Sequence, residues 1–205
     1  MHGYEVMQAL EERSGGWYKA SPGSVYPTLQ MLEDQGLVSC REEDGKRVYA
    51  ITDEGREYVV ELEAGRQPPA PWVNVMANAD FGTLVSESGA GYTWRVNSQR
   101  NRLTEWSNDA VVDAPSEAVF LRDESTGEFW TLTSAPVSEG GPYRVRHGAG
   151  YSVFSHNGHG IEGEMTVFVP VDEDGGLPVR VSLLRLRNAG RSARHLSNTC
   201  GQRGL

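Results

Sequence analysis

From Gly89 to Asp109 the chain runs Gly-Ala-Gly-Tyr-Thr-Trp-Arg-Val-Asn-Ser-Gln-Arg-Asn-Arg-Leu-Thr-Glu-Trp-Ser-Asn-Asp, crowding rings, amides, guanidinium groups and carboxylates into a Gly-rich loop. Aromatic faces stack on the apolar C–H face of a pyranose, while amides, Arg and Asp bond its hydroxyls. A packed tryptophan with solvated neighbours has the same composition, so the residue types alone leave both readings open. His156 and His159 flank Asn157-Gly158 with no third ligand pattern nearby, and no metal site is expected there. Glu162 and Glu164 point the same way on one strand, roughly 6–7 Å apart, near the separation of a glycosidase pair; a solvated strand face has that pattern too. Gly-Ala-Gly-Tyr-Thr-Trp lacks the following helix of a phosphate loop or nucleophile elbow. Cys40 and Cys200 lie far apart without CxxC or Cys/His spacing, so neither a disulfide nor a zinc site is expected, and no cofactor is called for.

The elements that must carry this stretch are strands. Ile161–Val169 alternates, with Ile161, Met165, Val167 and Val169 on one face and Glu162, Glu164 and Thr166 on the other. Similar runs occur at 83–87, 118–122, 128–132, 143–147, 151–156 and 179–186. Thr126-Gly127, Gly140-Gly141-Pro142, Asn157-Gly158 and Asp174-Gly175-Gly176 separate them, and such spacing indicates an antiparallel sandwich.

The whole chain has 205 residues, 38% of them hydrophobic, with 24 Gly and 10 Pro, which excludes a disordered or collagen-like polymer. Apolar runs such as Val167–Val171 are too short for a membrane span, and the first residues lack the pattern of a signal peptide; a cytoplasmic protein is expected. Charge is uneven. Residues 1–67 hold 7 basic against 13 acidic side chains, a net of −6, and residues 68–205 hold 12 against 15, a net of −3. Both lysines, Lys19 and Lys46, fall in the first part, and every basic residue after Gln67 is arginine. The Pro-rich stretch 64–71 marks the boundary.

Before that boundary the pattern is helix, helix, hairpin, helix. Val6, Met7 and Leu10 recur at helical spacing until Ser14-Gly15-Gly16. Ser24 is expected to cap a second helix with Pro27 in its first turn, Val25, Leu29 and Leu32 on one face, and Gly36 closing it. Leu37–Glu42 and Lys46–Ile51 then flank the turn Glu43-Asp44-Gly45. Thr52 caps a third helix with Asp53 and Glu54 in its first turn.

This is the order of a winged helix-turn-helix, and the wording is more specific. His2-Gly3-Tyr4-Glu5, Ser21-Pro22-Gly23-Ser24-Val25-Tyr26-Pro27-Thr28-Leu29, Leu32-Glu33-Asp34-Gln35-Gly36-Leu37-Val38 and Tyr49-Ala50-Ile51-Thr52-Asp53-Glu54-Gly55 closely resemble the N-terminal domain of the PadR family of transcriptional regulators. The resemblance covers residues 1 to about 62. It implies that Ser24, Tyr26, Thr28 and Gln30 face a DNA major groove and that Lys46 and Arg47 on the wing meet phosphate.

A second resemblance covers about Pro68 to Ser197. Phe81-Gly82-Thr83-Leu84-Val85-Ser86-Glu87-Ser88-Gly89-Ala90-Gly91-Tyr92-Thr93-Trp94, Asn97-Ser98 with Asn101-Arg102-Leu103-Thr104, Trp106-Ser107-Asn108-Asp109, Phe129-Trp130 and Arg146-His147-Gly148-Ala149-Gly150-Tyr151-Ser152 look like the N-terminal sandwich of glycoside hydrolase family 94. This family, formerly glycosyltransferase family 36, includes cellobiose and chitobiose phosphorylases and cyclic β-1,2-glucan synthase. The resemblance implies sugar contact by Trp94, Asn97, Asn101, Arg102, Trp106 and Asp109. It also implies that the catalytic residues belong to a helical barrel for which 205 residues leave no room, so no catalysis is expected of this chain alone.

The resulting expectation is a two-domain chain. A small α+β winged helix-turn-helix (1–63) and a Pro-rich linker (64–71) precede a mainly antiparallel, galactose-mutarotase-like, truncated β-sandwich (72–197) and an irregular tail (198–205). Its expected function is a PadR-like DNA-binding segment fused to a noncatalytic carbohydrate-binding sandwich. The alternative is a fragment of a family 94 β-glucan phosphorylase or glucan synthase. DNA, a β-glucan or glucosyl oligosaccharide, and self-association through exposed apolar surface are the expected partners, with no membrane.

Overall fold

A computed structural model describes every residue except 14, 17–18, 44, 64–65, 67, 107–108, 110, 172–175 and 203–205. Ser14 of the first helix stop, Asp44 of the hairpin turn, Ala64, Gly65 and Gln67 of the linker, Ser107 and Asn108, Asp174 and Gly175, and 203–205 of the tail therefore lie outside the described residues. The chain divides into two compact units, Met1–Tyr58 and Val59–Leu205. Among the described residues no helix is long and apolar enough to cross a membrane.

In the first unit, helix α1 spans Gly3–Arg13 and α2 spans Pro22–Asp34. Ser21, not Ser24, is the N-cap of α2. Pro22 already supplies the donor-free first turn, and Ser24 Oγ donates to Ser21 O at 2.9 Å. Pro27 thus sits inside the helix, where it forfeits only a bond to Gly23, which is exposed to water. At the other end Gly36 has φ +74, and the Leu37 and Gly36 N–H groups donate to the carbonyls of Leu32 and Glu33, closing a Schellman motif. Strands β1 (Val38–Glu43) and β2 (Lys46–Ile51) form the wing, in register from Val38↔Ile51 to Glu43↔Lys46. The chain start lies along β2, with the Met1 ammonium donating to Tyr49 O and Tyr49 N–H to Met1 O. Val25, Leu29 and Tyr49 make the core, with Val6, Met7, Ala20, Val38 and Cys40 packed on it.

The third helix is shorter than its cap suggests. Thr52 Oγ1 accepts from Gly55 N–H, but α3 is only Asp53–Arg56, and Glu57–Leu62 form strand β3. Tyr58, Val59 and Val60 are strand formers, and β3 pairs with β9 (Tyr143–Gly148) at the end of a five-stranded sheet.

That sheet has the order β12-β11-β10-β9-β3, with β10 at Tyr151–Gly158, β11 at Ile161–Phe168 and β12 at Val181–Asn188. Two three-stranded sheets complete the second unit. One is β13 (Leu196–Gln202), β7 (Glu117–Asp123) and β8 (Phe129–Thr131); the other is β4 (Val73–Ala77), β5 (Phe81–Ser86) and β6 (Gly91–Arg95). Every strand pair with a defined register is antiparallel. The alternation read in 161–169 is realised, since Ile161, Met165, Val167 and Val169 join Phe81, Val85, Leu121, Trp130 and Phe154 in one core. The chain is thus a small winged α+β unit and a mainly antiparallel β-sandwich. Two local expectations are corrected. Asn198–Gln202 are ordered as strand rather than irregular tail because they pair with β7 from Asn198↔Leu121 to Gln202↔Glu117. Gly91–Arg95, expected within a loop, is strand because Tyr92, Thr93 and Trp94 pair with β5 from Val85↔Gly91 to Phe81↔Arg95.

Candidate carbohydrate platform and nucleic-acid interface

Alternation along β6 sorts its side chains by face. Thr93 turns inward, where its hydroxyl lies 3.2 Å from that of Thr83, and Tyr92 and Trp94 fall on the opposite face, half-buried. Their ring centroids are 5.2 Å apart, and the Trp106 ring lies 5.1 Å from that of Tyr92. Arg102 Cζ lies 5.5 Å from the Tyr92 centroid, at cation–π distance. Trp94 lies across Gly82, where a Cβ would come within 2.3 Å of its ring. Three rings and a guanidinium therefore form one platform with Tyr92 at its centre. Trp94, Arg102 and Trp106 were expected there; Tyr92 was missed, although its two-residue spacing from Trp94 on a strand puts both on one face.

Backbone bonds hold the segment that follows. Trp94 bridges Arg102, Leu103 N–H donates to Thr93 O at 2.8 Å, Thr93 N–H to Thr104 Oγ1 at 2.9 Å and Arg95 N–H to Asn101 O at 3.1 Å. Asn97 Oδ1 accepts the Gln99 and Arg100 N–H groups, so its carbonyl builds the turn. The Asn101 side chain is exposed. Val96 occupies φ +63 at the tip, a region a β-branched residue rarely enters, and is 72% exposed. Asp109 Oδ1 accepts from the Val111 and Val112 N–H groups, and those two bonds hold its carboxyl below the ordinary range. Asp113 fastens the end of this segment from a buried position, accepting the Ser86 and Ser88 hydroxyls at 2.6 and 2.5 Å. Beside it Glu87 is buried, which pushes its carboxyl up, while it accepts Trp72 N–H at 2.6 Å.

The other acid and histidine constellations are occupied structurally. Glu162 meets Arg187 at 3.1 Å, and Glu164 lies between Arg146 and Arg185 at 3.2 and 3.3 Å. His159 Nε2 meets Glu139 at 2.5 Å and its Nδ1 meets Glu128 at 3.1 Å, contacts that raise its pKa, the Glu139 hydrogen bond foremost. His156 stacks on Tyr143 at 3.9 Å, with Nδ1 facing Pro142 O at 3.1 Å.

On α2, Ser24, Tyr26 and Thr28 are exposed and Gln30 is half-buried. Helical spacing puts Ser24 and Thr28 on one side of the buried Val25/Leu29 stripe, and Tyr26 and Gln30 on the other. Met31, 50% exposed, lies on the solvent side between them and was not singled out from sequence. Thr28 Oγ1 donates to Ser24 O, and the Tyr26 ring packs over Gly3. Lys46 and Arg47 are exposed on the wing, and Arg47 Nη1 reaches back to donate to Gln30 Oε1 at 3.0 Å.

Fold and platform define a class: a winged unit followed by an antiparallel sandwich with a half-buried aromatic cluster beside an exposed arginine. Within it, the chain belongs to the family described as glycosyl hydrolase 94, supersandwich domain, whose model matches residues 56–200. Residues 1–61 match the transcriptional regulator PadR-like family. Cyclic beta-(1,2)-glucan synthase NdvB of Rhizobium meliloti (strain 1021) is 39% identical over 147 residues, 71% of this chain and 5% of that protein. The N,N'-diacetylchitobiose phosphorylase of Vibrio proteolyticus is 34% identical over 125 residues, 60% of this chain and 15% of the relative. Transcriptional regulator YqjI of Escherichia coli (strain K12) is 44% identical over 61 residues, 29% of this chain and 30% of its own length. The chain thus spans only a minor share of each of these relatives.

Proposed function

We propose that the chain is a cytoplasmic binding protein in which residues 1–63 contact DNA and residues 72–197 form a noncatalytic carbohydrate-binding sandwich, joined through 64–71. The observation that carries the sugar half is the platform of Trp94, Tyr92 and Trp106 with Arg102 beside it. Rings of this kind offer faces to a pyranose, while Arg102, Asn101 and Asp109 supply polar groups. Asn97 contributes by shaping the turn. The name of the Rhizobium relative, a cyclic beta-(1,2)-glucan synthase, favours a β-glucan, and a β-1,2-linked disaccharide is the first ligand to try. Tryptophan emission from the full chain is expected to shift on addition of sophorose; an unchanged spectrum up to millimolar sugar counts against the reading.

The DNA half rests on the exposed face of α2 and on the wing. Anisotropy titration with a palindromic duplex of the PadR type, at several salt concentrations, is expected to show tighter binding than to random duplex, weakening as salt rises. Equal affinity for both duplexes contradicts it. Exposed Val73 and Val75 on β4 supply apolar surface for self-association. A second reading, a segment of a family 94 phosphorylase or glucan synthase, is favoured by the 39% identity to the Rhizobium protein. Release of sugar 1-phosphate by the purified chain would contradict the noncatalytic reading.

A further inference from the structure

The two edges of the sheet β4-β5-β6 differ. In an antiparallel ladder alternate residues turn their N–H and C=O groups toward the partner strand and the others turn them away. On β6, Thr93 and Arg95 face away from β5, and their groups are engaged. Thr93 N–H donates to Thr104 Oγ1, Thr93 O accepts from Leu103 N–H, and Arg95 N–H donates to Asn101 O. On β4, the bonds from Glu87 N–H to Trp72 O and from Asn78 N–H to Phe81 O set the phase. Asn74 and Met76 therefore face β5, while Val73, Val75 and Ala77 turn their backbone groups away from it. Among the described residues nothing bonds those outward groups. The same three residues have exposed side chains, Val73 at 47% and Val75 at 55%, whereas Asn74 Nδ2 donates to Gly148 O and Tyr151 O and Met76 lies in the core.

A bare edge is a template for another strand, and proteins blunt such edges with charge or by keeping them short. In the sandwich, β3 carries Glu57 and Glu61, β12 carries Arg185 and Arg187, β8 is three residues long, and β13 bears the polar Ser197, Asn198 and Thr199. Strand β4 is Val-Asn-Val-Met-Ala, and its neighbour β5 has no charged residue either. Such an edge offers nothing to attract an acidic or a basic segment. It can meet a copy of itself without like charges directly opposed, although the chain carries a net charge of −9.

We propose that β4 pairs antiparallel with β4 of a second copy of this chain, about a two-fold axis at Val75. That register sets Val75 against Val75 of the second copy and Val73 against Ala77. The opposed residues are those with outward backbone groups, so each free N–H meets a free C=O, and the valine side chains pair on the outer face. The contact is isologous and closes at a dimer. Because Val75 pairs with Leu84 and Leu84 with Tyr92, the two aromatic platforms share one face of the resulting six-stranded sheet. The inference deepens the proposed self-association and rests on its reading of β4 as the associating surface.

The test is analytical ultracentrifugation of the full chain over a micromolar concentration series, with folding checked by circular dichroism. The natural sequence is expected to shift from the mass of one chain to twice that mass as concentration rises. Val75→Pro removes an outward donor and spares the β4–β5 ladder, and Val75→Lys opposes two ammonium groups. Both are expected to stay monomeric across the series with the strand signal retained, while Leu183→Lys, exposed on the edge strand β12, dimerises as the natural chain does. A dimer that persists in both Val75 variants, or that Leu183→Lys abolishes as they do, overturns the pairing at β4 and leaves self-association through another surface standing. Growth beyond the dimer overturns the closed two-fold contact. A natural chain that remains monomeric throughout removes this inference and the proposed self-association together.

Discussion

On α2 and the wing, the polar side chains are bound to one another: Thr28 donates to Ser24 O, and Gln30 sits between Asp34 and Arg47. On the platform loop the backbone is satisfied by Asn97, Asn101 and Thr104, and the guanidinium groups of Arg95 and Arg100 face solvent without a carboxylate among the described residues. A ligand at the platform therefore displaces mainly water, while DNA at α2 must compete with the Gln30–Arg47 bond. The supporting cores differ as well. Among the described residues, Val25, Leu29 and Tyr49 are the buried core of the winged unit, whereas the sandwich core runs from Met76 to Val169. The platform belongs to the second of these units.

The largest effect is expected at Trp130, fully buried in the sandwich core. Trp130→Ala should cost about 3–5 kcal/mol in denaturant unfolding of the sandwich. A loss well under 1 kcal/mol would mean that the core does not carry the fold as described. Next is Asp113→Ala, which removes the acceptor shared by two buried serine hydroxyls and should cost about 1–3 kcal/mol. Since Asp113 fastens the platform segment, sugar affinity should fall with it; unchanged stability would show that the anchor is dispensable. Gly82→Val forces the Trp94 ring off its seat and should weaken sugar binding about tenfold, roughly the worth of one aromatic contact. Intact affinity would show that Trp94 need not lie over Gly82.

The smallest effects concern two histidines of the sandwich with opposite signs. The contacts with Glu139 and Glu128 raise the His159 pKa, so its contribution is complete below about pH 6.5 and is lost as pH rises through the raised folded value. Burial lowers the His147 pKa, so its contribution is complete above about pH 6.5 and is lost as pH falls through the lowered value. Stability measured against pH should lose its alkaline-side decline in His159→Gln and its acid-side decline in His147→Gln. Matching profiles for both variants would contradict the assignment.

Elements with strong local patterning were legible. The wing followed from two strand-like runs about a glycine turn, and the β11 face from alternation alone. Strand β3 was not, because Thr52 with Asp53-Glu54 announces a helix and only pairing with the distant β9 decides that it stops after one turn. The two family matches overlap at residues 56–61, where that competition lies. Strand β6 was hidden by its glycine-rich approach, and with it the phase that sets Tyr92 beside Trp94. The carbonyl of Asn97 and the carboxylate of Asp109 carried the signal of side chains that bond backbone two and three residues ahead, so their turn-building was readable in principle.

The most direct test of the sugar platform is calorimetric titration of sophorose and short β-1,2-glucans into the full chain and into Trp94→Ala/Trp106→Ala. The account predicts saturable heat for the natural sequence and its loss in the double variant with folding preserved by circular dichroism. Identical titrations for both proteins would contradict it.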